Sequence, residues 1–131
     1  MSQILEPPKK VFEFHCRGIH SPMGMWEVIQ KLICLVGMTP ARKGRIDRYP
    51  WRGGGGSGFT IYQPLVESFC TADVYYNSKL TYIVLSTCKP ERVDLVAVHG
   101  FLSEQIGRVF EPDPKEELSD RLKAVHHGSD T

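Results

Sequence analysis

No stretch of this sequence approaches the roughly 20 consecutive apolar residues that a membrane-spanning helix requires. The first ten residues carry Glu6, Pro7 and Pro8 and no apolar signal stretch, so a cytoplasmic, non-membrane protein is expected. The four cysteines, Cys16, Cys34, Cys70 and Cys88, form no CxxC pair. That spacing argues against a zinc site or a redox motif and suits free thiols in a reducing compartment. His15 and His20 are not spaced to share one strand face, and His126-His127 falls in a tail, so no metal site is expected. A formal net charge of +1 gives no global attraction to nucleic acid or to an anionic membrane. The glycine run at 53–58 (GGGGSG) lacks the Lys-Ser/Thr ending of a phosphate-binding loop and reads as a flexible turn. No internal repeat is present.

What is there reads as one domain spanning residues 1–131, with 41% hydrophobic and 24% charged residues and enough apolar material for one core. Val11, Phe12, Phe14 and Cys16 around Glu13 and His15 predict a strand over 10–17. Ser21-Pro22 supplies an N-cap and a first helical residue. Met25, Val28, Ile29, Leu32, Ile33 and Val36 follow at helical spacing, and Gly37 fits the position just past the helix end. A short strand is expected at 45–49 and an extended segment over 58–76, in which Pro64 implies an edge or a bulge. Asn77-Ser78-Lys79 reads as a turn, and the next eight residues, LTYIVLST, as the strongest strand. Pro90 opens a second helix carrying Val93, Val96, Ala97, Phe101 and Ile106 to Gly107, and Asp113-Pro114 starts a short third. This order predicts an α+β fold, a two-layer sandwich with an antiparallel sheet and helices packed on one face.

The most informative stretch is Val66-Glu67-Ser68, with Cys88 twenty residues after the serine. A three-residue loop at 77–79 sets Tyr76 opposite Leu80 and, carried outward, Ser68 opposite Cys88. Directly opposed residues share a face with Cβ atoms roughly 5 Å apart, whereas a one-residue slip separates them.

Glu-Ser at the end of an apolar strand, a hairpin, and a cysteine closing the next strand before a helix resemble the S-adenosylmethionine decarboxylase family in its short prokaryotic form. The resemblance covers roughly residues 11–107 and includes the Ser-to-Cys separation. It implies that the Ser68 hydroxyl attacks the Glu67 carbonyl, and that β-elimination then splits the chain into 1–67 and 68–131. A pyruvoyl cofactor is left where Ser68 stood. That group takes up the substrate amine as a Schiff base and serves as the electron sink for loss of carbon dioxide, the work pyridoxal phosphate does elsewhere. Cys88 resembles the family's acid that protonates carbon, and Glu13 a family acidic position at the substrate. The implied substrate is S-adenosylmethionine, in polyamine biosynthesis, with ornithine or arginine as alternatives. The implied assembly is a homodimer of processed protomers. Phe69 and Asp73 stand where the short form has histidines one and five residues after the serine. Asp73 is the substitute base in this reading, provided a bulge brings it to the serine's face.

Two other readings stand beside this one. A diverged paralogue would keep the sandwich without self-cleavage and act as a regulatory or partner subunit, with Ser68 a small strand residue and Cys88 a buried apolar one. The basic and aromatic segment 42–52 (Arg42, Lys43, Arg45, Arg48, Tyr49, Trp51, Arg52) suits single-stranded nucleic acid by charge and stacking. With the chain's charge balanced overall, it reads first as a solvated face.

Overall fold

The structure, a computed structural model, describes residues 9–50 and 57–112. Strand β1 (Lys10–Arg17) leads into helix α1 (Pro22–Leu35). Strands β2 (Arg45–Pro50), β3 (Ser57–Leu65), β4 (Ser68–Tyr75) and β5 (Leu80–Thr87) follow. A 3-10 turn (Pro90–Arg92), helix α2 (Leu95–Gln105) and a short strand β6 (Val109–Phe110) complete the order. The six strands form one sheet in the order β2-β3-β4-β5-β1-β6, with every pairing antiparallel. Both helices pack on one face of it, the expected α+β sandwich.

Helix α1 forms as its sequence predicts. The Ser21 side chain accepts from the Gly24 N–H, and Pro22 sits where no helical donor is required. At the other end Gly37 takes φ +65°, while Gly37 N donates to the Cys34 carbonyl and Met38 N to that of Ile33. This pair of bonds is a Schellman closure, which needs a left-handed residue and so favours glycine. The buried stripe Met25, Val28, Ile29, Leu32 and Ile33 shares one core with Val98 and Leu102 of α2 and with alternate residues of the strands: Phe12 and Phe14, Phe59 and Ile61, Cys70, Ala72 and Val74, Ile83 and Leu85.

Two expectations about the elements are corrected. The extended segment 58–76 is two strands, reversed at Val66-Glu67. Pro64 lies past the last β2 partner, Tyr62, so β2 asks for no ladder hydrogen bond from it. The second helix begins at Leu95 rather than Pro90, because the Asp94 carboxylate accepts from Val96 N and Ala97 N and caps it there. The expected third helix lies outside the described residues.

The loop between β4 and β5 is one residue longer than expected, and Tyr75, not Tyr76, pairs with Leu80. The cause is local. Tyr76 N donates to the Ser57 carbonyl of β3, its ring packs against Phe59 at 5.9 Å, and Lys79 closes the turn at φ +54°. Every partner along the hairpin shifts accordingly: Ser68 stands opposite Thr87, and Cys88 comes beside Glu67.

Candidate active site

A two-residue hairpin turn matches the twist of its strands when its own residues take positive φ, which is why Asn and Gly dominate such turns. Val66 and Glu67 suit this poorly. Among the described non-glycine residues only Ser68 and Lys79 have positive φ, and Ser68 takes +155°. The reversal's distortion thus falls on the residue after the turn, at the candidate scissile bond. For a residue with a side chain that backbone costs on the order of 1–3 kcal/mol. It also re-aims the side chain. Alternation with Cys70, Ala72 and Val74 would turn Ser68 towards the helices. Its hydroxyl instead donates to Ser86 Oγ at 3.0 Å. Ser86 is the partner of Phe69, on the side of the sheet away from the helices.

The other half of the bond is held as firmly. The Glu67 carbonyl accepts from Cys88 N at 3.0 Å, a donor of the kind that stabilises charge on a carbonyl oxygen under attack. Its carboxylate, whose side chain is only 9% exposed, accepts from Thr39 N at 2.9 Å and from Arg92 Nη1 at 3.3 Å. Arg92 Nη1 also donates to the Gly37 carbonyl at 2.9 Å, and Val66 N to that of Thr39 at 2.8 Å. The loop after α1, the end of β5 and the 3-10 turn therefore converge on one residue. Sequence reading assigned Glu67 no role beyond its carbonyl. It missed Ser86, Thr39 and Arg92, and only for Ser86, two residues before Cys88 on a strong strand, was there a signal to follow.

Cys88 is partly exposed and Cys34 exposed, whereas Cys16 and Cys70 are buried. Burial pushes the thiols of Cys16 and Cys70 up to about 12. Both are therefore neutral near pH 8, and the thiolate is the reactive form. Cys70 faces the core. Alkylation of the folded protein at pH 8 is expected to modify Cys34 and Cys88 alone, with all four cysteines reacting after denaturation. Peptide mass mapping reads the result, and modification of folded Cys70 would contradict this burial.

On the second face of the sheet, Glu13 lies two residues along β1 from Val11, the partner of Ser86, which is about 7 Å. The Tyr82 hydroxyl donates to Glu13 Oε1 at 2.6 Å, and the His15 ring stacks on Tyr82 at 4.6 Å. Burial first, and the adjacent Glu13 second, push the Tyr82 hydroxyl up from its ordinary value, so it stays a donor. Tyr62 and Phe69 add a second aromatic pair on this face.

Asp73 is not brought to the serine. The β3–β4 and β4–β5 registers run without a bulge, which leaves it five residues, about 16 Å, along β4 from Ser68. Its carboxylate accepts from Thr60 Oγ1, which also contacts the Tyr49 hydroxyl. In the basic segment, Arg45 pairs with Asp47 at 3.1 Å and lies over the Tyr62 ring, while Arg42, Lys43 and Arg48 are exposed. Trp51, Arg52 and residues 53–56 lie outside the described residues. No described helix is long and apolar enough to cross a membrane.

No protein-family model matches this chain, and no curated protein matches it. Among solved structures, the adenosylmethionine decarboxylase of Aquifex aeolicus VF5 is similar in fold, with a TM-score of 0.54 over 81% of this chain and 88% of that one. The chain resembles that decarboxylase in architecture. At 12% identity the likeness is one of fold.

Proposed function

We propose that this protein is a self-processing, pyruvoyl-dependent decarboxylase resembling adenosylmethionine decarboxylase, cleaved between Glu67 and Ser68. The observation that carries the reading is the arrangement of Ser68. On a decarboxylase-like fold, its backbone is held at φ +155° with its hydroxyl fixed, while the adjoining carbonyl is held by the Cys88 N–H.

In this reading Ser68 Oγ bonds to the Glu67 carbonyl carbon, the Glu67–Ser68 C–N bond breaks, and the hydroxyl proton ends on the freed Ser68 nitrogen. The Cys88 N–H steadies the oxygen as charge develops on it. Loss of the Ser68 Cα proton then expels Glu67 as a carboxylate. The unsaturated residue that remains tautomerises and takes up water, ammonia leaves, and the pyruvoyl group results. The residues present fit this origin, since a serine follows the attacked carbonyl and its hydroxyl is held in place. The finished group supplies an electrophilic carbonyl that draws electrons from a bound amine as carbon dioxide departs. Cys88, partly exposed and next in the ladder, is the residue for returning a proton to carbon. Glu13 and the rings of Tyr82, Phe69 and Tyr62 form an acidic and aromatic surface suited to a cationic amine. S-adenosylmethionine, with its sulfonium, is the first substrate to test, and ornithine and arginine follow. A homodimer of processed protomers is the assembly proposed with this activity.

A second reading, an uncleaved paralogue serving as a partner subunit, is favoured by one observation. The Ser68 hydroxyl meets a neutral hydroxyl, and Asp73, which stands in the sequence where the family has a histidine, is bonded to Thr60 about 16 Å along the strand. Intact mass of the reduced, denatured protein separates the two. Fragments 1–67 and 68–131, the second beginning with a pyruvoyl group, are expected. A single chain unchanged after long incubation would replace the first reading with the second.

A further inference from the structure

The hydroxyl of Ser68 makes one hydrogen bond, to Ser86 Oγ, and we propose that Ser86 is the positioning residue for self-cleavage, aiming the Ser68 oxygen at the Glu67 carbonyl. This rests on the cleavage reading above. Ser86 is 4% exposed, so water competes little for that bond. It is fixed in a central strand, paired with Val11 of β1 on one side and Phe69 of β4 on the other. Because Ser68 donates, both lone pairs of its oxygen remain available for attack. Two residues further on, about 7 Å along the chain, the Cys88 N–H holds the carbonyl to be attacked. One strand end thus anchors both reacting atoms, and the spacing of its two anchors sets their approach.

Ser86 orients and does not take the proton for good. In the acyl shift the Ser68 hydroxyl proton ends on the Ser68 nitrogen as the C–O bond forms and the C–N bond breaks, so Ser86 is unchanged by the step. Its loss therefore slows attack without abolishing it.

The test follows the rate of chain cleavage by intact mass in freshly expressed wild type, Ser86→Ala, Ser86→Cys and Ser86→Thr. Each is measured with and without hydroxylamine, which cleaves the ester once formed. Ser86→Ala and the near-isosteric Ser86→Cys are expected to cleave roughly tenfold more slowly, the equivalent of one hydrogen bond lost at the transition state. Ser86→Thr, which keeps the hydroxyl, restores the rate. The deficit persists in hydroxylamine, because attack precedes the ester. Thermal unfolding of the Cys and Thr variants matches wild type, so their difference in rate reports the hydroxyl and not the fold. Ser86→Ala and Ser86→Cys cleaving at the wild-type rate would overturn the proposal and leave self-cleavage standing. Hydroxylamine restoring both variants to that rate would overturn it as well, by moving their defect to elimination. Wild type that stays whole even in hydroxylamine would remove the cleavage reading itself, and the role of Ser86 with it.

Discussion

Ser68→Ala is expected to give a single uncut chain with no decarboxylase activity, and Ser68→Gly the same uncut chain with greater stability. Both changes remove the nucleophile and its bond to Ser86, so cleavage stops in each. They differ in one carbon, at a residue whose φ is +155°. Alanine keeps the side-chain clash that this backbone imposes, and glycine removes it. Glycine's extra freedom in the unfolded chain offsets part of the gain, which leaves about 1–2 kcal/mol in favour of Ser68→Gly. Urea unfolding of the two variants measures the difference directly. Equal stability, or a more stable alanine variant, would mean that the turn stores no strain at Ser68. In wild type the acyl shift frees this residue from the peptide that imposes its φ. Release of that strain during attack would speed cleavage by about tenfold per 1.4 kcal/mol.

Cys88→Ala is expected to separate processing from catalysis. The backbone N–H that holds the Glu67 carbonyl is kept, so the chain cleaves at close to the wild-type rate. The thiol is lost, and with it the proton donor to carbon. General acid catalysis is worth about 10²–10⁴-fold, and decarboxylation should fall by that order while fragment masses stay unchanged. Release of carbon dioxide, set against the fraction cleaved, gives both quantities from one sample. An alanine variant as active as wild type would assign protonation to another group. A variant that fails to cleave would instead show that the side chain matters to processing.

Much of the architecture was legible in the residues. Ser21, Pro22 and Gly37 bracket α1 because capping and left-handed closure are local requirements, met or unmet within a few residues. Alternation in β1 and β5 identified which side chains enter the core. The turn at Val66-Glu67 was not legible, since neither residue carries a turn signature and the distortion is borne by Ser68. The second helix was placed too early for a different reason. Pro90 and Asp94 are both good starting residues, and the chain spends the first on a 3-10 turn whose Arg92 reaches Glu67.

Short-range periodicity and capping were enough for the α+β class, for the positions of β1, α1 and β5 and for the helix-facing core, and the sequence also shows a Glu67-Ser68 pair ahead of a cysteine. The tertiary structure decided the register and therefore the site. Tyr76 bonds to β3 rather than opposing Leu80, and this one choice moves Cys88 from Ser68 to the Glu67 carbonyl. It likewise decided that Asp73 is held by Thr60, that Ser86 takes the Ser68 hydroxyl and that Arg92 and Thr39 hold Glu67. Side-chain period in a strand is two, so a single added loop residue exchanges every neighbour across the hairpin. Contacts between residues 13 to 28 apart are fixed only when the sheet closes.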